Sequence, residues 1–65
     1  MAADVIVENS SSIVSLTPIT PAAREWIKEN CQTEPWQWLG PTLNIDTRYA
    51  GNILEGMQAD GLTIE

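Results

Sequence analysis

A chain of 65 residues makes one domain, and a single cysteine with no histidine leaves it no intramolecular disulfide and no soft-ligand zinc site. Nine carboxylates against three basic residues give a net charge of −6, which opposes direct binding of nucleic acid or anionic membranes. A domain this short buries only roughly 60% of the surface its unfolded chain exposes, so good packing or a partner subunit has to complete its stability.

Residues 1–12 are polar around Val5-Ile6-Val7. The first nine residues hold no basic side chain and no long apolar run, so they do not read as a secretory signal. Ala2 stands where an N-myristoyl anchor needs glycine. With the lone thiol of Cys31, these features point to a cytoplasmic chain. Residues 1–11 read as a loose arm or an edge strand, and Val5–Val7 as a separate strand or an extension of the next one. Asn9–Ser12 has loop composition, and without a secretion route the sequon Asn9-Ser10-Ser11 is a chance match.

Ile13–Leu16 is short and β-branched and reads as a strand. Thr20 then offers an N-cap and Pro21 suits the first helical position. Ala23, Trp26, Ile27 and Cys31 recur at helical spacing and predict a helix over about 21–31, which Pro35 keeps from extending. Glu25 and Lys28 are spaced to pair across its outer side. Trp36–Leu39 and Thr42–Ile45 flank Gly40-Pro41 as a hairpin. Counting from that turn pairs Leu39 with Thr42, Trp38 with Leu43 and Trp36 with Ile45, with the large apolar side chains on one face. Proline at the second turn position is awkward for a two-residue loop, which favours a longer one; the alternative to the first strand is an irregular segment.

Asp46 or Thr47 caps a second helix, whose apolar face is Tyr49, Ala50, Ile53, Leu54 and Met57 and whose C′ residue is Gly61. Gly51 and Gly56 inside it each cost about 1 kcal/mol relative to alanine, which implies a ring or backbone close by. Leu62–Glu65 alternates like a last strand. The expected fold is α/β in the α+β sense. It is a two-layer sandwich of order β-α-β(β)-α-β, a 3–4-stranded sheet with two helices on one face. Ser15, Gln37, Asn44 and Thr63 would line the opposite, wet face. The whole chain, residues 1–65, forms one domain.

The run Leu16-Thr17-Pro18-Ile19-Thr20-Pro21-Ala22-Ala23-Arg24-Glu25-Trp26, with Arg48-Tyr49-Ala50, Gly56-Met57 and Asp60-Gly61-Leu62, resembles a group of short uncharacterised bacterial and prophage proteins. The likeness covers about fifty residues and its motifs are structural. It implies a bacterial or mobile-element origin and transfers no activity and no site residues. Small acidic proteins of such elements are often anti-CRISPR or anti-restriction inhibitors, an analogy of setting alone.

A catalytic reading finds little to work with. Cys31 has no histidine to activate it and sits late on a helix, so it reads as a structural cysteine. Glu25 with Glu29, and Asp46 with Glu55 if the second helix folds back, are the carboxylate pairs; solvated helix faces carry such pairs routinely. No glycine-rich phosphate loop and no calcium loop is present. No cofactor, metal or catalytic residue is expected.

The expectation is a non-enzymatic acidic protein-binding module, of the kind that inhibits a host nucleic-acid-binding defence complex. Its partner is another protein or its own copy, in which case it is a homodimeric structural or regulatory domain; direct nucleic-acid and membrane partners are not expected. A small-ligand or enzymatic domain is the third reading. Candidate partner-binding residues are the carboxylates Glu25, Glu29, Glu34, Asp46, Glu55 and Asp60, whose array could imitate phosphates, and the indoles Trp36 and Trp38.

Overall fold

The computed structural model describes residues 3–65. Met1 and Ala2, on which the missing acyl anchor was read, lie outside the described residues. The elements are β1 (Val5–Ser10), β2 (Ile13–Pro18), α1 (Pro21–Asn30), a 3-10 turn (Pro35–Gln37), β3 (Trp38–Leu39), β4 (Thr42–Asp46) and α2 (Thr47–Ala59). The strands form one antiparallel sheet in the order β1-β2-β4-β3. Both helices pack on one face, so the fold is the expected two-layer α+β sandwich.

Val5–Ser10 forms an edge strand, and the expected loop at Asn9–Ser12 is shorter than its composition suggested. Asn9 and Ser10 pair with Val14 and Ile13, so Ser11 and Ser12 alone make the turn. Ser11 takes φ 54, a conformation usually left to glycine in two-residue hairpins. The second hairpin is equally tight, with no longer loop. Leu39 pairs with Thr42 and Trp38 with Leu43, as counting from the turn predicts. Gly40 at φ 62 supplies the positive angle in the first turn position. A II′-type turn wants a negative φ in its second position, which proline already has, so Pro41 fits.

Alternation sends Val5, Val14, Leu16, Leu43 and Ile45 to the inner face, where Ala23 and Ile27 of α1 and Ala50 and Met57 of α2 cover them. The largest fully buried side chains are Leu16, Leu43, Met57 and Val5. The sheet's outer face is polar and cross-linked. Ser15 Oγ donates to Asn44 Oδ1 at 2.8 Å, and the Thr17 and Thr42 hydroxyls share a hydrogen bond at 2.9 Å.

Thr20 caps α1, its Oγ1 accepting from the Ala23 N–H at 3.2 Å. The helix ends one residue before the expected limit, and Cys31 is its half-buried C-cap. Burial pushes the Cys31 thiol up from its ordinary value, as suits a structural cysteine. Asp46 caps α2, accepting from the Arg48 N–H at 2.9 Å. Gly61, at φ 91, closes α2 as the C′ residue. Its N–H reaches the Gln58 carbonyl and the Leu62 N–H reaches that of Met57, each at 3.0 Å.

The last residues make a single parallel bridge, Val5 to Ile64, where alternation suggested a strand. Glu65 N–H bonds the Val5 carbonyl and Val7 N–H the Glu65 carbonyl, covering the inner half of the β1 edge. Asp4 ties this region together. Its Oδ1 accepts from Thr20 Oγ1 at 2.7 Å and its Oδ2 from the Thr63 N–H at 2.8 Å. Its carbonyl accepts from the Ile19 N–H at 2.7 Å. One carboxylate thus joins the α1 cap to both ends of the described chain.

The hydrogen bonds from the Thr63 backbone and the Thr20 hydroxyl hold the Asp4 carboxyl below its ordinary pKa of 3.8. A carboxyl depressed in the folded state stabilises the fold above its unfolded pKa and loses that contribution as pH falls through the lower, folded one. Thermal melts should therefore show Tm falling with acidification below about pH 4. Asp4→Asn should lower Tm at neutral pH and flatten that acid limb, leaving the share due to Asp46; an unchanged limb would remove Asp4 from the account.

Candidate functional site

None of the three tryptophans is fully buried. Trp26 and Trp38 are half-buried against the aliphatic core. Each sends its indole N–H to a polar partner, Trp26 to Asp60 Oδ2 and Trp38 to Thr33 Oγ1 at 3.0 Å. Trp36 is 80% exposed.

Its exposure corrects the expected Trp36–Ile45 pairing, and the reason is local. Pro35 begins a 3-10 turn that lifts Trp36 off the sheet before β3 starts. Gln37 holds that turn with its side chain, Oε1 accepting from the Glu34 N–H at 2.7 Å. Asn44 Nδ2 donates to the Gln37 carbonyl at 3.2 Å, replacing the strand pairing that the turn prevents.

Tyr49 is a second correction. It was placed on the buried side of α2 but is 59% exposed. That side centres on Ala50 and Met57, with Ile53 and Leu54 half-buried at its margins. Tyr49, one residue before Ala50, is rotated about 100° around the helix and falls outside it. The Arg48 guanidinium lies 5.6 Å from its ring centroid, in cation–π range.

Trp36 and Tyr49 come together, with Ile13 and Ile53, around a groove of about 370 Å³ where β4 runs into α2. Gln32, Asn44 and Asp46 add polar rims. Ile13 lies on the sheet's outer face and is itself exposed. Of the apolar residues that line the groove, only Trp36 was a candidate from sequence. A signal for Ile13 existed: strand alternation puts it on the same face as Ser15.

The candidate carboxylates do not gather into one array. Asp46 caps α2 and pairs with Arg48 at 3.1 Å, and these contacts hold its pKa down. Asp60 is the α2 C-cap and accepts from Trp26. Glu34 precedes the 3-10 turn. Glu25 and Glu29 are exposed on α1, and Glu55 is exposed on α2. The Asp46–Glu55 pair does not form, because the two stand at one end and past the middle of a single helix, roughly 13 Å apart along its axis. Nor does Glu25 pair with Lys28; the sole ion pair among the described residues is Arg48–Asp46. Among the described residues no three metal-ligating side chains cluster.

In comparisons with known proteins, no family model, no curated protein and no solved structure matches the chain.

The Trp26–Asp60 contact also explains one of the two glycines inside α2. A Cβ on Gly56 would lie 3.0 Å from Trp26 Cζ2, whereas a Cβ on Gly51 meets nothing within 4 Å. The expected neighbour is thus real at Gly56 and absent at Gly51. Gly51→Ala should stabilise the fold by about 0.5–1 kcal/mol, a Tm rise of roughly 3–6 °C. Gly56→Ala should bring no gain, because the Trp26 ring has to move. Equal gains at both sites in thermal denaturation would show that the ring contact costs nothing.

Proposed function

We propose that this chain is a non-enzymatic protein-binding module whose docking surface is the Trp36–Tyr49 groove. The observation that carries the reading is Trp36, 80% exposed beside a 59% exposed Tyr49. Leaving a tryptophan that open forfeits stabilisation that a small domain needs. Interfaces recover it: tryptophan, tyrosine and arginine are the side chains enriched at binding hot spots, and Arg48 stands over Tyr49 here.

The surface charge supplies the second support. A domain of charge −6 is drawn to a basic partner, and long-range attraction raises the rate of encounter. An inhibitor of a nucleic-acid-binding defence complex, of the anti-CRISPR or anti-restriction kind, fits that charge. In this reading Glu25, Glu29 and Glu55 steer, and the aromatics hold. The lone thiol suits a cytoplasmic setting, and among the described residues no helix is long and apolar enough to cross a membrane.

The test is capture from a bacterial lysate with tagged wild-type and variant chains, with light scattering on each purified protein. Trp36→Ser with Tyr49→Ser should leave the circular dichroism spectrum and monomer mass unchanged and weaken capture of a defined partner by about 30-fold or more. Glu25→Lys with Glu29→Lys should slow association and leave dissociation little changed. Retained capture by the aromatic variant would overturn the reading. A wild-type dimer that the same variant dissolves would assign the groove to a second copy instead.

A further inference from the structure

Two of the three basic residues face a second groove, on the other side of the segment that carries Trp36. Arg24, Ile27 and Lys28 of α1 form one wall; Pro18, Trp38 and Pro41 form the other. Its volume is about 380 Å³, and it is an open trough. Among the described residues neither cation has a carboxylate within ion-pair distance, although the chain carries nine. Arg24 Nη2 donates to the Ile19 carbonyl at 3.3 Å, which anchors one edge of the guanidinium and leaves other donors free. Trp38 is fixed as well, its indole N–H held by Thr33.

We infer that this trough binds an extended acidic peptide segment, with carboxylates on the α1 wall and an apolar side chain against Trp38 and Pro41. Arg24 and Lys28 are four residues apart on a helix, so their stems emerge about 6 Å from each other. In an extended peptide, side chains two apart point the same way and lie about 7 Å apart, while the one between them points oppositely. An acidic-apolar-acidic triplet therefore matches both walls at once. The open shape favours a peptide over a small anion, because small-molecule sites bury most of their ligand. Arginine and lysine beside an aromatic wall are also the groups that take carboxylates and apolar side chains together.

The test is a titration of the ¹⁵N-labelled full chain with a blocked five-residue peptide alternating glutamate and leucine, followed by amide and indole shifts. Saturable shifts are expected at the Trp38 indole N–H and the Arg24 and Lys28 amides, with affinity in the millimolar range or better. The glutamine-for-glutamate peptide should bind about tenfold more weakly, as should the native peptide to Arg24→Gln with Lys28→Gln. Both side chains are exposed, so the spectrum of that variant elsewhere should match the wild type. No saturation, equal binding of the glutamine peptide, tighter binding of a lysine-for-glutamate peptide, or shifts confined to Trp36 and Tyr49 would each overturn the inference. None of these outcomes bears on the Trp36–Tyr49 surface, whose variants report separately.

Discussion

Four short strands under two helices enclose a space that fits leucine and methionine side chains but not an indole. The fully buried set confirms the scale: Leu16, Leu43, Met57 and Val5 are its largest members. A tryptophan in such a domain has to find another place. Trp26 and Trp38 lie at the rim of the core, each with its ring on apolar atoms and its N–H on an oxygen. That arrangement satisfies both halves of an amphipathic side chain. Trp36 has no rim position left on its turn, and the Pro35 bend directs it outward. The exposed aromatic groove is thus a consequence of core size acting on a tryptophan-rich loop.

A core of this size gives the termini unusual weight. No disulfide links them, and the β1 edge would otherwise be open. The tail covers part of that edge with parallel backbone hydrogen bonds, and Asp4 adds the side-chain link to the tail and to the α1 cap. Edge strands left bare invite pairing with other chains, so this cover limits unwanted association as well as adding stability. The opposite edge, β3, is guarded differently: it is two residues long and begins at a 3-10 turn.

Much of the fold was legible because its signals are local. Thr20-Pro21, Asp46 and Gly61 marked helix ends through capping chemistry, and all three act as read. The Gly40-Pro41 count placed two cross-strand pairs correctly because a two-residue loop leaves no freedom of register. The misreadings share a cause. Periodicity ranks side chains by hydrophobicity and assumes room inside, so Tyr49 was assigned to a core that cannot hold it, and Trp36, although named as a partner-binding candidate, was paired with Ile45 on the apolar face. Asp46 and Asp60 were candidates for charge display, but their carboxylates are occupied by Arg48 and Trp26. Asp4 drew no attention, because its partners, Ile19 and Thr20 on one side and Thr63 on the other, are distant from it along the chain.

The segment from Gln32 to Trp38 concentrates the consequences. Gln32, Trp36 and Gln37 line one groove, and Thr33 and Trp38 line the other. A single connection therefore divides the apolar surface into two faces and gives each an indole. On one side the ring is open, with Arg48 already neutralised by Asp46; on the other it is pinned, beside two cations that no carboxylate neutralises. The same seven residues also anchor the sheet edge through Gln37 and Asn44. A partner seated in either groove would contact a segment tied to β4 by the hydrogen bonds between Gln37 and Asn44. Binding would then require little ordering of the chain, which keeps the entropic cost of association low. The turn that deprives the core of a tryptophan is in this way also the hydrogen-bonded support on which the exposed indole stands.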